Sequence, residues 1–413
     1  MSAIGIDFGT TFCSASWVNP QKNFPEAITF PYAVDGCKIP SIVFFPPKGK
    51  TIVGYAPYMQ IENASSTADR ANINRYAITS IKRKMQRNGS FQGHSHTEII
   101  SIILRHIIDE AQKACQFTSP IDTLVLTHPV VFSEWQKNML REAAIMVGFD
   151  QDKITLLEEP ISAALSYIKS NQLSNIRGVL VYDFGGGTFD VAYVQIDHHG
   201  KLLMPIDPQG ESLCGGNDVD LLLYDCWDKM AHQKLGRFLS ENTQEIDESF
   251  LSRCRKQKEM MSLSNNNQLF RELLPPLLNR GIEQLEWNLK GEEYNEIISP
   301  IIEKTIAKTK IVLDEVRTKN LPLDKVLLIG GSSRIPQVKQ RLGELVGDIS
   351  LIKTPGVIDV AVALGASYYA LGNDTLNANS TPQECFCIYC GGKIKTSDKF
   401  CMFCGKPNHS YKP

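Results

Sequence analysis

The stretch that decides the fold is Leu180-Val181-Tyr182-Asp183-Phe184-Gly185-Gly186-Gly187-Thr188-Phe189-Asp190-Val191. Apolar residues lead up to Asp183, three glycines and a threonine follow, and the apolar pattern resumes at Phe189, so strand, turn and returning strand are predicted. A hairpin turn by itself needs only an Asn-Gly pair. Three successive glycines instead clear side chains from the loop and let backbone N–H groups approach an anion. A carboxylate at the strand end repels phosphate but suits the Mg²⁺ that travels with a polyphosphate, because Mg²⁺ takes one or two carboxylates and keeps several waters.

The pattern occurs a second time at Ile4-Gly5-Ile6-Asp7-Phe8-Gly9-Thr10-Thr11, followed by Phe12-Cys13-Ser14-Ala15. Read alone, Gly9-Thr10 fits a plain hairpin as well as a phosphate loop. Taken with its second copy it predicts two lobes of related topology that grip a triphosphate from both sides. Two further glycine elements stand just before predicted helices. One is Cys214-Gly215-Gly216-Asn217-Asp218, with Asn217-Asp218 read as the cap of a helix over 217–235. The other is Val326–Ile329 followed by Gly330-Gly331-Ser332-Ser333-Arg334-Ile335-Pro336, read as strand, turn, Ser cap and helix. Both leave a helix N-terminus facing a ligand.

Between these motifs the apolar spacing predicts helices over 97–116, 133–147 (Ser cap, Gly148 stop), 160–170 with Pro160 in its first turn, 246–262 and 297–319. Helices alternating with strands define an α/β protein. The 413-residue chain is 43% hydrophobic and 21% charged, ordinary for a soluble globular protein with a large core. Its net charge of −2 offers no argument for nucleic acid or a membrane surface. Lys82-Arg83-Lys84 is too short a basic run to change that. No apolar run reaches the ~18 residues of a bilayer span, and no basic leader precedes Asp7, so a cytoplasmic location is expected. His94 and His96 read as a polar loop without a third metal ligand.

The order of these motifs resembles the nucleotide-binding domain of the seventy-kilodalton heat-shock chaperones (DnaK-like), a branch of the actin-like ATPases with duplicated ribonuclease-H-like lobes. GIDFGTT, LLEEPISAALSY, YDFGGGTFDV and LIGGSSRIP carry the resemblance over residues 1–372. It implies lobe I over about 1–176 and lobe II over about 177–372, with a helical subdomain over about 217–297. It implies that Asp7 and Asp183 hold hydrated Mg²⁺, and that Gly9, Thr10, Thr11, Gly185, Gly186, Gly187 and Thr188 contact phosphates of ATP or ADP. Lys82, Glu159, Asp183, Thr188 and Asp190 become the catalytic set, and Pro129 relays nucleotide state between lobes. Gly215, Gly216, Lys258, Ser262, Gly330, Gly331, Ser332, Arg334 and Asp359 border the nucleoside. From the residues alone Lys82 reads rather as a solvated surface lysine, and Glu159 could equally be a helix N-terminal charge. Arg255 stands where the family carries an acid and Glu259 where it carries a base, a swap that could preserve a local salt link.

Family members continue into an apolar linker, a β-sandwich that binds peptides, and a helical lid. Here residues 373–384 are polar and aperiodic, read as a linker. Of 11 cysteines, five crowd into 385–413. Cys387-x-x-Cys390-Gly and Cys401-x-x-Cys404-Gly bracket a hairpin-length spacer, the pattern of a Cys₄ structural Zn²⁺ ribbon. So short a unit needs a staple to fold. Redox Cys-x-x-Cys pairs are the competing reading, without the thioredoxin-like βαβ frame they would need. Cys385 lies outside the spacing. With no room for a peptide-binding domain in these residues, the usual foldase cycle is not expected, and the ribbon is read as a docking module for a protein partner or co-chaperone rather than for nucleic acid. The leading expectation is a slow, Mg²⁺-dependent ATPase switch. A nucleotide-regulated actin-like scaffold and a small-molecule kinase are the alternatives, the latter lacking a separate base for a sugar hydroxyl.

Overall fold

The computed structural model describes residues 2–372, apart from 20–21, 23, 117–119, 172, 174, 240–245, 265, 276–282 and 357, together with the backbone of 384–386 and 393–395. Two mixed sheets organise it. The first runs Ile154–Glu158, Thr123–His128, Ala3–Asp7, Phe12–Asn19, Phe24–Ala27, and the second runs Leu202–Leu203, Phe189–Ile196, Gly178–Phe184, Lys325–Ile329, Ile352–Lys353. In each, the strand ending at the key aspartate pairs antiparallel with the strand after the glycine loop and parallel with a later strand on its other side. The register is shared too: Asp7 lies opposite Ser14, and Asp183 opposite Asp190, at the same offset. Related topology read from two short motifs is therefore present strand by strand. Gly178–Phe184 is buried along its whole length, as expected of a strand covered on both faces.

Eleven α-helices are formed among the described residues. Local signals place several of them closely. Ser95 and Glu98 form a reciprocal capping box at His96–Cys115. Glu134–Val147 runs from Ser133 to Gly148, whose φ of 117° favours glycine. The helix expected over 297–319 begins earlier, at Gly291, and continues through Pro300 to Thr318. Burial of Tyr294, Ile298, Ile302, Val312 and Leu313 along one face outweighs the ~3 kcal/mol a proline costs inside a helix.

Two helices cross between the sheets. Glu159–Asn171 sets Ala163, Ala164 and Ile168 against Val179, Val181 and Val194 of the second sheet. Ala361–Ala370 crosses the other way: Ser16 Oγ donates to Ala363 O at 2.6 Å, and Ala366 packs with Val125 and Leu157. The two helices meet so closely that a Cβ on Gly365 would lie 1.8 Å from Ser162 O.

Each lobe carries an insertion. In lobe I it holds the small sheet of Ile42–Phe44, Ile52–Val53 and Ala77–Thr79 with helices Tyr55–Asn63 and Thr67–Tyr76. In lobe II the segment expected to be helical holds Gly216–Leu235 and Glu248–Ser264, but also an antiparallel hairpin, Gln268–Leu273 with Gln284–Leu289. Burial alternates along Gln284–Leu289, with Leu285, Trp287 and Leu289 inward, a period-two signal not read from the sequence.

Candidate functional site between the lobes

The two glycine loops meet face to face. A Cβ on Gly186 would stand 2.2 Å from Thr11 Oγ1, one on Gly187 2.5 Å from Thr10 Cγ2, and one on Gly215 2.6 Å from Gly186 O. Only glycine permits this approach, which keeps backbone amides of both lobes in one place. Gly216 and Asn217 donate their N–H groups to Gly185 O and Gly186 O at 2.9 and 2.7 Å, binding the third glycine element to the second. Gly9 O accepts from Ser41 Oγ at 2.8 Å. Thr188 O accepts from Gly185 N at 3.1 Å and closes the triple-glycine turn.

Behind the loops lies a charged cluster. Lys82 Nζ donates to Glu159 Oε1 at 2.7 Å, both are buried, and the Phe132 ring centroid lies 5.7 Å from the ammonium. The surface-lysine reading of Lys82 is therefore overturned. Asp7, Asp183 and Asp190 surround the pair. Burial raises the Asp7 carboxyl to about 7, with Glu159 adding to the rise and Lys82 opposing it. For Asp190, burial first and Glu159 second raise it to about 8. Asp183 moves upward as well, through burial and then Glu159, Asp190 and Asp7. At Lys82 burial disfavours the ammonium, yet Glu159 and Asp7 outweigh it and hold the pKa above the ordinary lysine value. Asp190 also faces the backbone of Val130 and Val131 across the lobe boundary, next to Pro129. His128 Nδ1 lies 2.8 Å from Pro129 O.

At the far side, Gly330 turns with a φ of 78° against Phe184 O and Asp183. Ser332 does not cap the following helix. Gly331–Arg334 forms a 3₁₀ turn, the helix starts at Pro336, and the Ser332 hydroxyl donates to Gly185 O at 2.8 Å. Gly331 has open space beside it, and Arg334 pairs with Asp359 at 2.8 Å. Lys258 is buried between Gly216 O at 3.1 Å and Asp220 Oδ1 at 2.8 Å, and Ser262 Oγ donates back to Lys258 O. The swapped salt link does not form: Arg255 Nε lies 3.4 Å from Asp220 Oδ2, and Glu259 is exposed. Asp220, fully buried, was missed because an acid in the first turns of a helix reads as a dipole partner. A pocket lined by Thr11, Phe12, Tyr58, Ser80, Ser252 and Arg255 among others opens beside the two insertions, which meet through the buried Arg70–Asp247 pair at 3.1 Å.

Asn217 and Asp218 do not serve their helix only as caps. The helix begins at Gly216, and Asn217 reaches lobe I. His94 stacks on Phe45 and His96 is buried with Nδ1 accepting from Gln86 N, so this pair is part of a packed turn. Among the described residues no group of three or more His, Cys, Asp or Glu side chains forms a ready metal cage, and no helix is long and apolar enough to cross a membrane. Cys387, Cys390, Cys401, Cys404 and the expected linker over 373–383 lie outside the described residues.

Paired sheets of one topology, with glycine loops facing across a cleft, define the actin-like ATPase fold class. The chain belongs to the Hsp70 family: the family model described as Hsp70 protein matches residues 3–372. It is similar to a heat shock protein homolog of Encephalitozoon cuniculi, 28% identical, with 96% of this chain and 67% of that protein covered. It is also similar to the chaperone protein DnaK of Thermosipho melanesiensis, 29% identical over 89% of this chain and 58% of the relative. The heat shock 70 kDa protein BIP3 of Oryza sativa subsp. japonica is 29% identical over 91% and 57% respectively. The chain thus spans a little over half the length of the DnaK and BIP3 relatives.

Proposed function

We propose that the chain binds ATP with Mg²⁺ between its lobes, hydrolyses it slowly, and uses the nucleotide state to control binding of a protein partner in the manner of a chaperone. The observation that carries this is the meeting of both Asp-Gly-Thr loops around a buried Lys82–Glu159 pair. Four carboxylates share that space with one ammonium, a charge balance that fits a divalent cation held through water by Asp7 and Asp183. When bound, Mg²⁺ would neutralise phosphate charge.

The chain's own residues do the rest. Gly9, Thr10, Thr11 and Gly185–Thr188 offer amides and hydroxyls to the phosphates. Lys82, held charged by its neighbours, stabilises charge on the transferring group, while Glu159 and Asp190 orient the attacking water and Thr188 lies beside the terminal phosphate. Lys258, Ser262, Ser332 and Arg334, with Gly215, Gly216, Gly330, Gly331 and Asp359, shape the nucleoside end. Pro129, beside the Val130–Val131 segment that faces Asp190, relays the lobe II chemistry into lobe I. The test is direct: purified chain should bind Mg-ATP and release phosphate slowly, and Thr188→Ala should lower the single-turnover rate at least about tenfold. Absence of Mg-ATP binding by calorimetry would end the reading.

For the tail we propose a Cys₄ Zn²⁺ site of Cys387, Cys390, Cys401 and Cys404 that docks a protein partner. Backbone pairing of 384–386 with 393–395 places Phe386 opposite Lys393 and brings together the ends of the segment that contains the first Cys-x-x-Cys-Gly. The two strands of this ladder flank the first Cys-x-x-Cys-Gly in the sequence. About one zinc per chain is expected by atomic absorption, and Cys387→Ser with Cys390→Ser should remove it. A zinc-free native chain would sink the assignment.

A further inference from the structure

Arg83 and Asp218 lock the lobes together beside Lys82. Arg83 Nη1 and Nη2 donate to Asp218 Oδ2 and Oδ1, both at 2.8 Å, a two-pronged pair whose side chains are only 15% exposed. Next to it, Asn217 Nδ2 donates to Ser80 Oγ at 3.0 Å, and Thr11 Oγ1 donates to Asn217 Oδ1 at 3.2 Å. One helix start in lobe II therefore holds a phosphate loop, the Ser80 turn and Arg83, all in lobe I. Ser80 has a φ of 53°, a left-handed conformation that a serine adopts only when its surroundings impose it. It opens the one-turn helix Ile81–Lys84, which carries Lys82.

We propose that Arg83, Asp218 and Asn217 are positioning residues that hold Lys82 at its station only when the lobes are closed. This rests on the ATPase reading and deepens it: closure gates hydrolysis through the fork, while nucleotide binding depends on the glycine loops. Separation of the lobes breaks the Arg83–Asp218 pair and the Asn217–Ser80 bond, the Ser80 turn is released, and the lysine loses its fixed approach. A guanidinium fork suits this role because its two parallel bonds fix orientation as well as distance.

The test uses the full chain, with Mg-ATP single-turnover hydrolysis and fluorescent-ADP titration measured separately. Asp218→Asn keeps an acceptor for Gly215 N, which Asp218 caps at 2.8 Å, so the helix start is preserved. Asp218→Asn and Arg83→Gln should each slow hydrolysis about tenfold while ADP affinity stays within about twofold. The double variant should be no slower than the slower single, because both substitutions cut one link. Arg83→Lys should recover part of the rate. Unchanged rates in both singles, affinity falling in step with rate, or effects that multiply in the double variant would overturn the proposal. A wild-type chain that fails to hydrolyse Mg-ATP would instead remove the ATPase reading itself.

Discussion

Lys82→Met is expected to cut hydrolysis by at least about 100-fold and to cost the free chain about 3–5 kcal/mol of stability. Two effects combine. The rate effect follows from losing the buried ammonium beside Glu159, Asp7 and Asp183, proposed above to stabilise charge on the transferring group. The stability effect follows from geometry: Lys82 Nζ is 2.7 Å from Glu159 Oε1, and both groups are buried. Without it, Glu159 is left buried beside Asp7, Asp183 and Asp190, whose charges oppose its own. Single-turnover hydrolysis and urea unfolding measure the two losses independently. If unfolding and turnover both matched wild type, Lys82 would have no part in the site.

The second large effect is expected at the helix crossing. Gly365→Val should destabilise the chain by more than about 4 kcal/mol, because the new Cβ would enter within 1.8 Å of Ser162 O and 2.4 Å of its carbonyl carbon. Both are backbone atoms inside Glu159–Asn171, and neither can swing aside. Ser162 Oγ also donates to Val362 O at 2.6 Å, so the helices cannot separate without losing a buried bond. Gly343→Ala is the matched control. It lies inside Pro336–Val346, its Cβ would meet only Ile349 at 3.4 Å or more, and a gain of about 0.5–1 kcal/mol is expected. Thermal unfolding of both variants would decide the matter, and equal midpoints would show that the crossing is looser than its geometry.

What the chain discloses in one dimension depends on the range over which its chemistry acts. The caps at Ser133 and Gly148 are legible because each partner lies within four residues. The aspartate–glycine–threonine loops are legible because each is built from consecutive residues. Asn217 shows where this stops: it stands at a helix start and reads as a cap, yet its side chain bonds Thr11 and Ser80 in the other lobe. Arg83 was hidden in a basic run for the same reason. Lys82 and Glu159 became candidates through family resemblance, since nothing local to either reveals that they meet. The hairpin at 268–289 was overlooked because its alternation is brief and flanked by strongly helical segments.

The helix Ala361–Ala370, seated on the first sheet although it follows the second in the chain, has a mechanical meaning. Its last turn lies just before Gly372, where the polar segment toward the cysteine-rich tail departs. A load passed along the chain to Gly372 reaches first the helix held by the Ser16–Ala363 bond and the Gly365–Ser162 contact. The tail is therefore joined to the helix that crosses between the sheets rather than to either insertion, so a pull on it bears on the buried Ser16–Ala363 and Gly365–Ser162 contacts.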